Sequence, residues 1–276
     1  MNRGFPSLGN PPVVEVIAEV VFQSSSSKRP WSGDVAKEAL TRIAGPDAKA
    51  EVLARQTLEF TEEGRPERIS TEVLRMRGTY PDRRKGVQVG NDFLACHYLR
   101  RGERYDFREM LLLVEDALPK YKEFLEPGPI SRLGLWFVDI VNIPARKVDL
   151  DEYFRLGIKF PSEIREPTLH GFDVRTVIEL EREGRVLDLH FQDVKIPGLE
   201  TSRFRVDWHL VEQVVAPDVT SWLTDAEAEL NRWFFTTMAP KAIELFGPQG
   251  EQPTVVDRAP TTPRPGAKEQ QEQGEQ

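Results

Sequence analysis

Hydrophobic and polar positions alternate or recur along this chain in blocks that specify their own elements. Val13 to Phe22 reads VVEVIAEVVF. Its β-branched residues predict a strand, and the two-residue period puts Glu15 and Glu19 on one face. After Ser24 to Ser27 and Pro30, the residues Val35, Ala39, Leu40 and Ile43 recur at helical spacing, with Ser32 or Asp34 as the cap and Gly45-Pro46 as the stop. Three strand patterns follow: Arg55 to Thr61, Ile69 to Arg77 and Val87 to Leu99. The last contains Gly90-Asn91-Asp92 and divides naturally into two strands around a tight turn. From Asp106 the period becomes helical, with Met110, Val114, Ala117, Leu118, Tyr121 and Leu125 in one stripe, Asp106 with Glu109 as a capping box, and Pro119 as a kink.

A second cycle repeats this order. Ile130 to Ile143 is apolar on both faces and predicts a central strand. Asp149 to Phe154 predicts a short helix. Phe172 to Glu181, Arg185 to Val194 and Arg203 to Val211 predict three strands, the first two joined as a hairpin at Glu183-Gly184. A helix from Val219 carries Trp222, Ala226, Leu230, Trp233 and Phe234, breaks at Pro240 and ends at Gly247-Pro248. The expected fold class is therefore α+β: two pseudo-repeated β-α-β-β-β-α units, residues 1–127 and 128–247, forming mainly antiparallel sheets with helices on one face. At fold level this resembles the TATA-binding-protein-like and sliding-clamp architectures, which are also duplicated. Residues 248–276 are rich in Pro, Gly, Gln and Glu with little to bury, and predict a disordered tail.

Composition narrows the function more than it defines it. With 276 residues, 39% of them hydrophobic, the chain can bury a full core. The single cysteine, Cys96, permits no internal disulfide and points to a reducing compartment. The start, MNRGFPSLGNPP, has no apolar run of signal-peptide length, and no segment reaches the roughly 18 apolar residues of a membrane span, so a cytoplasmic protein without membrane contact is expected. The net charge of −8 disfavours nonspecific binding to polyanions.

Asn10-Pro11-Pro12-Val13-Val14-Glu15-Val16, the segment from Arg132-Leu133-Gly134-Leu135 through Asn142-Ile143-Pro144, and Asp207 with Trp222-Leu223 and Phe234-Phe235 together resemble an uncharacterised, sporadically distributed family of bacterial and archaeal proteins of about this length. Where such relatives tend to carry a basic and an amide residue in the central strand, this chain has Trp136 and Asp139. The resemblance implies a shared fold and brings no substrate, cofactor or mechanism with it.

Three constellations carry candidate chemistry. Asp188-Leu189-His190 and Asp207-Trp208-His209 each place an Asp and a His on one strand face, and a suitable register would converge them into a ligand set for Zn, Mn or Fe. The competing interpretation is the solvated face of a half-buried sheet. Arg75, Arg77, Arg83, Arg84, Lys85, Arg100, Arg101 and Arg104, interleaved with Tyr80, Phe93, His97 and Tyr98, form the mixture that neutralises phosphates and stacks bases. Such runs also serve as solvated turns and protected edges. Trp222, Trp233, Phe234 and Phe235 span too wide an arc for one narrow stripe, which suggests an interface with a protein partner or a second copy.

Cys96-His97 is a weak nucleophile candidate, because neighbours on a strand point to opposite faces. Glu15, Glu19 and Asp139 could form an acidic cluster, although strand glutamates are more often simply exposed. G-x-S-x-G, a Walker-type loop, a Rossmann fingerprint and H-E-x-x-H are all absent. The sequence thus points to a non-catalytic cytoplasmic binding or assembly module acting through its sheet surface, with no cofactor. The alternatives are nucleic-acid binding through residues 75–104 and a metal-dependent hydrolase.

Overall fold

The computed structural model describes residues 8–23, 30–60, 66–100, 105–146, 148–157, 172–195 and 201–247. In chain order these form β1 (Val13–Phe22), α1 (Gly33–Ala44), β2 (Lys49–Phe60), β3 (Pro66–Thr79), β4 (Lys85–Gly90), β5 (Phe93–Leu99) and α2 (Phe107–Leu125). They continue as β6 (Ile130–Ile143), α3 (Leu150–Tyr153), β7 (Asp173–Glu179), β8 (Arg185–Asp193), β9 (Ser202–Gln213), α4 (Val219–Thr237) and α5 (Pro240–Glu244). All nine strands join one antiparallel sheet in the order β2-β3-β4-β5-β1-β6-β9-β8-β7. The fold is α+β. The predicted tail, 248–276, lies outside the described residues.

Local chemistry explains the boundaries. Ser32 accepts a hydrogen bond from the Val35 amide at the start of α1. Asp106 and Asp218 accept from Arg108 and Ser221 at the starts of α2 and α4. These side chains satisfy amides that the helix itself leaves without partners. Helix α2 runs through Pro119 to Leu125, and the segment around Gly90-Asn91-Asp92 resolves into β4 and β5.

One strand begins earlier than its pattern suggests. Residues 49–55 of β2 are exposed on both faces, so nothing forces an apolar/polar alternation there.

Alternate strand residues pack against the helices: Val16, Ala18, Val20 and Phe22 of β1, Leu133, Leu135 and Phe137 of β6, and Phe204, Val206, Trp208 and Leu210 of β9 are all buried. Phe22 stacks on Tyr121 of α2, and Trp208 meets Phe234 of α4 edge-on. Helix α1 rests on β3 and β4, α2 on β5 and β1, and α4 on β6 and β9. Residues of opposite parity form what we call the far face, turned away from these helices.

Gly78 lets α1 come close. A Cβ at this position would lie 2.6 Å from Leu40 Cδ1, inside the core. Gly78→Ala is therefore expected to cost about 1–3 kcal/mol through overpacking. Urea denaturation measures the loss, and an unchanged midpoint would show that α1 sits less tightly on β3 than the geometry implies.

Candidate functional site on the far face

Strand β1 is apolar except for Glu15 and Glu19, and both carboxylates emerge on the far face. Glu15 Oε1 is 2.9 Å from His97 Nδ1, with Arg77 Nη2 at 3.4 Å. Burial works to raise the Glu15 pKa, but the His97 hydrogen bond and charge, together with Arg77, outweigh it and hold the carboxyl below its ordinary range. An ionised Glu15 accepts, so the shared proton sits on Nδ1. The remaining ring nitrogen, His97 Nε2, is buried and has no hydrogen-bond partner. His97 itself is 6% exposed.

Glu19 makes a second pairing across three strands. His209 of β9 approaches it over β6, with Nε2 3.6 Å from Glu19 Oε2. Gly134 of β6 lies beneath, where a Cβ would come within 3.0 Å of His209 Nε2 and 3.2 Å of Glu19 Oε2. Trp136 stacks on the His209 ring at 4.0 Å between centroids. Burial again pushes the Glu19 pKa up, and His209, Trp136 and Arg132 together bring it below the ordinary value. Trp136 Nε1 and His209 Nε2 are buried and reach Glu19 only at long range.

The two Asp-x-His triplets meet in register. Asp188 is paired with His209, and His190 with Asp207, in the β8–β9 ladder. His190 Nδ1 stays 3.9 Å from Asp207 Oδ2, but the shorter contacts go to other partners. Arg175 grips Asp188 through two nitrogens, and its hydrogen bonds outweigh modest burial to lower the Asp188 pKa. His190 Nε2 is 2.7 Å from Asp173 Oδ1, and Arg205 Nε donates to both oxygens of Asp207 at 2.9 and 3.0 Å. Among the described residues, no three His, Cys, Asp or Glu side chains are disposed to hold one ion.

The basic stretch is dispersed rather than gathered. Arg75 and Arg77 reach the far face, where Arg75 lies 3.7 Å over the Phe93 ring. Lys85 turns the other way to Glu109 at 2.7 Å, Arg83 and Arg84 stand at the β3–β4 turn, and Arg100 is held by Asn10 and Pro11. Arg101 and Arg104 lie outside the described residues.

The α4 aromatics divide too. Trp222 and Phe234 are core, at 6% and 7% exposure, and only part of Trp233 and Phe235 is uncovered. The wide arc suggested by three consecutive aromatics is taken up because α4 packs Phe234 inward against Trp208 and Phe246.

Cys96 points into the core on the side opposite His97. Burial, with a smaller contribution from Asp116, pushes its thiol up to about 12, which leaves it inert as a nucleophile. Asp139 also leaves the supposed acidic cluster. It lies on the helix side and accepts from Trp208 Nε1 at 2.8 Å.

A cleft of about 590 Å³ opens between the β7–β8 turn and α4. Its charges are mutually neutralised: Arg182 and Arg185 contact Asp225, and Arg232 contacts Glu229.

The Glu15–His97–Arg77 and Glu19–His209–Trp136 groups are not legible as units along the chain. Two carboxylates in an apolar strand were the visible signal. Their partners come from strands 62 to 190 residues away, and only register supplies them. Compared with known families and characterised proteins, the chain matches no family model and no curated protein sequence. No helix among the described residues is long and apolar enough to cross a membrane.

Proposed function

We propose that this protein is a non-catalytic binding module that recognises its ligand through the far face of the sheet. The observation carrying this is His97 Nε2, a buried ring nitrogen without a hydrogen bond, together with Trp136 and His209, whose buried ring nitrogens meet only Glu19 and at long range, His209 Nε2 at 3.6 Å. Buried polar atoms are nearly always satisfied, so one open ring nitrogen and two loosely held ones on one face, beside two ionised glutamates, suit a surface that completes its bonding with a partner. A carboxylate-oriented imidazole can also act as a general base, but the thiol nearest in sequence faces away from it.

We further read the sheet as two related halves, β2-β3-β4-β5-β1 and β6-β9-β8-β7, meeting at the β1–β6 pair, the first holding one strand more than the second. Each opens with a strand and a helix and closes with a strand that leads into a long helix, an order that supports duplication. The packing of Phe154, after α3, on Phe191 and Phe204 supports helices gathered on one side.

The nucleic-acid reading keeps one specific support, the stacked Arg75–Phe93 pair beside Arg77 on the same face. The metal reading requires Asp188 and Asp207 to release their arginines.

Affinity purification of the full chain from its native cell, with mass spectrometry for proteins and sequencing for nucleic acid, tests the proposal. The double variant Trp136→Ala/His209→Ala is expected to lower recovery of the bound species at least tenfold, about 1.4 kcal/mol. Arg42→Glu and Lys120→Glu, on the exposed sides of α1 and α2, are expected to retain it. Equal recovery by all variants would reject the far face as the binding surface.

A further inference from the structure

An open nine-stranded sheet has two edges, and an exposed edge strand offers a row of backbone donors and acceptors to another chain. Here the edges are β2 and β7. The β2 edge is the more apolar. Val52, Leu53 and the neighbouring Leu74 of β3 are 55%, 48% and 38% exposed, and they account for three of the seven large apolar side chains exposed among the described residues.

The order of residues in β2 is complementary to itself. When two copies run antiparallel about a twofold axis at Leu53, Leu53 faces its own counterpart, Val52 faces Ala54 of the second copy, and Glu51 faces Arg55 of the second copy, twice by symmetry. Within one chain Glu51 is in register with Arg77. Pairing therefore continues an alternation of charge across three strands: Arg77, Glu51, then Arg55 of the second copy. Opposite charges facing one another across strands stabilise a pair, and like charges destabilise it. Moving the axis to Val52 would oppose Lys49 to Arg55 of the second copy. Glu51 has only a long pairing of 3.6 Å with exposed Lys49 of its own strand, whereas Arg175 of β7 is held to Asp188 through two nitrogens, so β7 is less suited.

We propose that two copies of this chain associate through β2, in antiparallel register centred on Leu53, to form one continuous sheet. The interface is isologous, so it closes after two chains. Its partner is a second copy rather than a heterologous strand, because both the charges and the apolar residues match themselves. This assembly is independent of what the far face binds.

Sedimentation equilibrium of the full chain at tens of micromolar is the test, with circular dichroism to confirm that each variant folds. The wild type is expected to be a dimer. Glu51→Arg and Arg55→Glu, each placing like charges opposite one another twice, are expected to weaken association at least tenfold. The exchange Glu51→Arg/Arg55→Glu is expected to recover most of it, short of the wild type because position 51 then opposes Arg77 within its own chain. Leu53→Cys should form a disulfide-linked dimer on mild oxidation, since the only native cysteine is buried. A wild-type monomer, or a dimer indifferent to the single charge reversals, would overturn the proposal.

Discussion

Glu212→Ala is expected to destabilise the fold by about 3–5 kcal/mol, the cost of leaving a buried charge without its partner. Glu212 and Arg185 are 4% and 5% exposed on adjacent strands. Arg185 Nε donates to Glu212 Oε2 at 2.8 Å, Trp222 Nε1 donates to the same oxygen at 2.7 Å, and Arg182 Nε lies 2.9 Å from Oε1. The carboxylate thus pins the first turns of α4 to the sheet through Trp222 while neutralising a guanidinium that water barely reaches.

Removing Glu212 leaves Arg185 with Asp225 alone among these acids, and that aspartate side chain is 58% exposed. The indole loses its acceptor as well. Glu212→Gln should cost less, because its amide oxygen still accepts from Trp222. Arg185→Met/Glu212→Leu should cost less than half of the alanine variant, since neither charge then remains to be desolvated. Chemical denaturation of the three variants measures this. A loss below about 1 kcal/mol for Glu212→Ala would show that water enters the site and shields Arg185.

The second large effect is a dependence of stability on pH that runs opposite to ordinary acid denaturation. Burial raises the Asp139 carboxyl from 3.8 to about 7, against a lowering by the Trp208 hydrogen bond and with a further rise from Asp207. Between those values the unfolded chain has lost this proton and the folded chain has kept it, so stability falls as pH rises from about 4 to about 7 and levels off above. At 1.36 kcal/mol per unit of pKa difference, the full amplitude is roughly 4 kcal/mol.

Asp139→Asn keeps an acceptor for Trp208 and has no proton to lose. It is expected to match the wild type near pH 4 and to exceed it by up to that amount at pH 8. Glu227, raised to about 7 chiefly by burial, leaves a residual slope of the same sign. Glu15 and Glu19 act oppositely: their lowered values give stability that is present above the ordinary glutamate value of 4.5 and is lost as pH falls below it. The stability maximum should therefore lie on the acid side of neutrality. Denaturation midpoints across pH 4 to 8 decide the matter, and parallel curves for wild type and Asp139→Asn would remove Asp139 from the account.

Much of this protein was legible along the chain because its elements are specified by neighbours a few residues apart. The bounds of β1 and β6, the cap at Asp106, a cap at Ser32 or Asp34 that the structure assigns to Ser32, and the turn that splits β4 from β5 all follow from local period and capping chemistry. The early residues of β2 carry no strand pattern, because an edge strand exposed on both sides has no inside to mark. The Asp-x-His triplets were visible, and the register did bring them opposite each other. That Asp188 and Asp207 would be occupied by Arg175 and Arg205 was not visible, since competition among partners depends on rotamers and distances.

The linear sequence determined which residues share a strand face, including Glu15 with Glu19, because alternation is a property of a single strand. Only the tertiary structure decided that both sets of strands enter one sheet and that His97, Arg77, His209 and Trp136 arrive beside those glutamates. Register between strands is set by the whole packed core rather than by any segment of the chain.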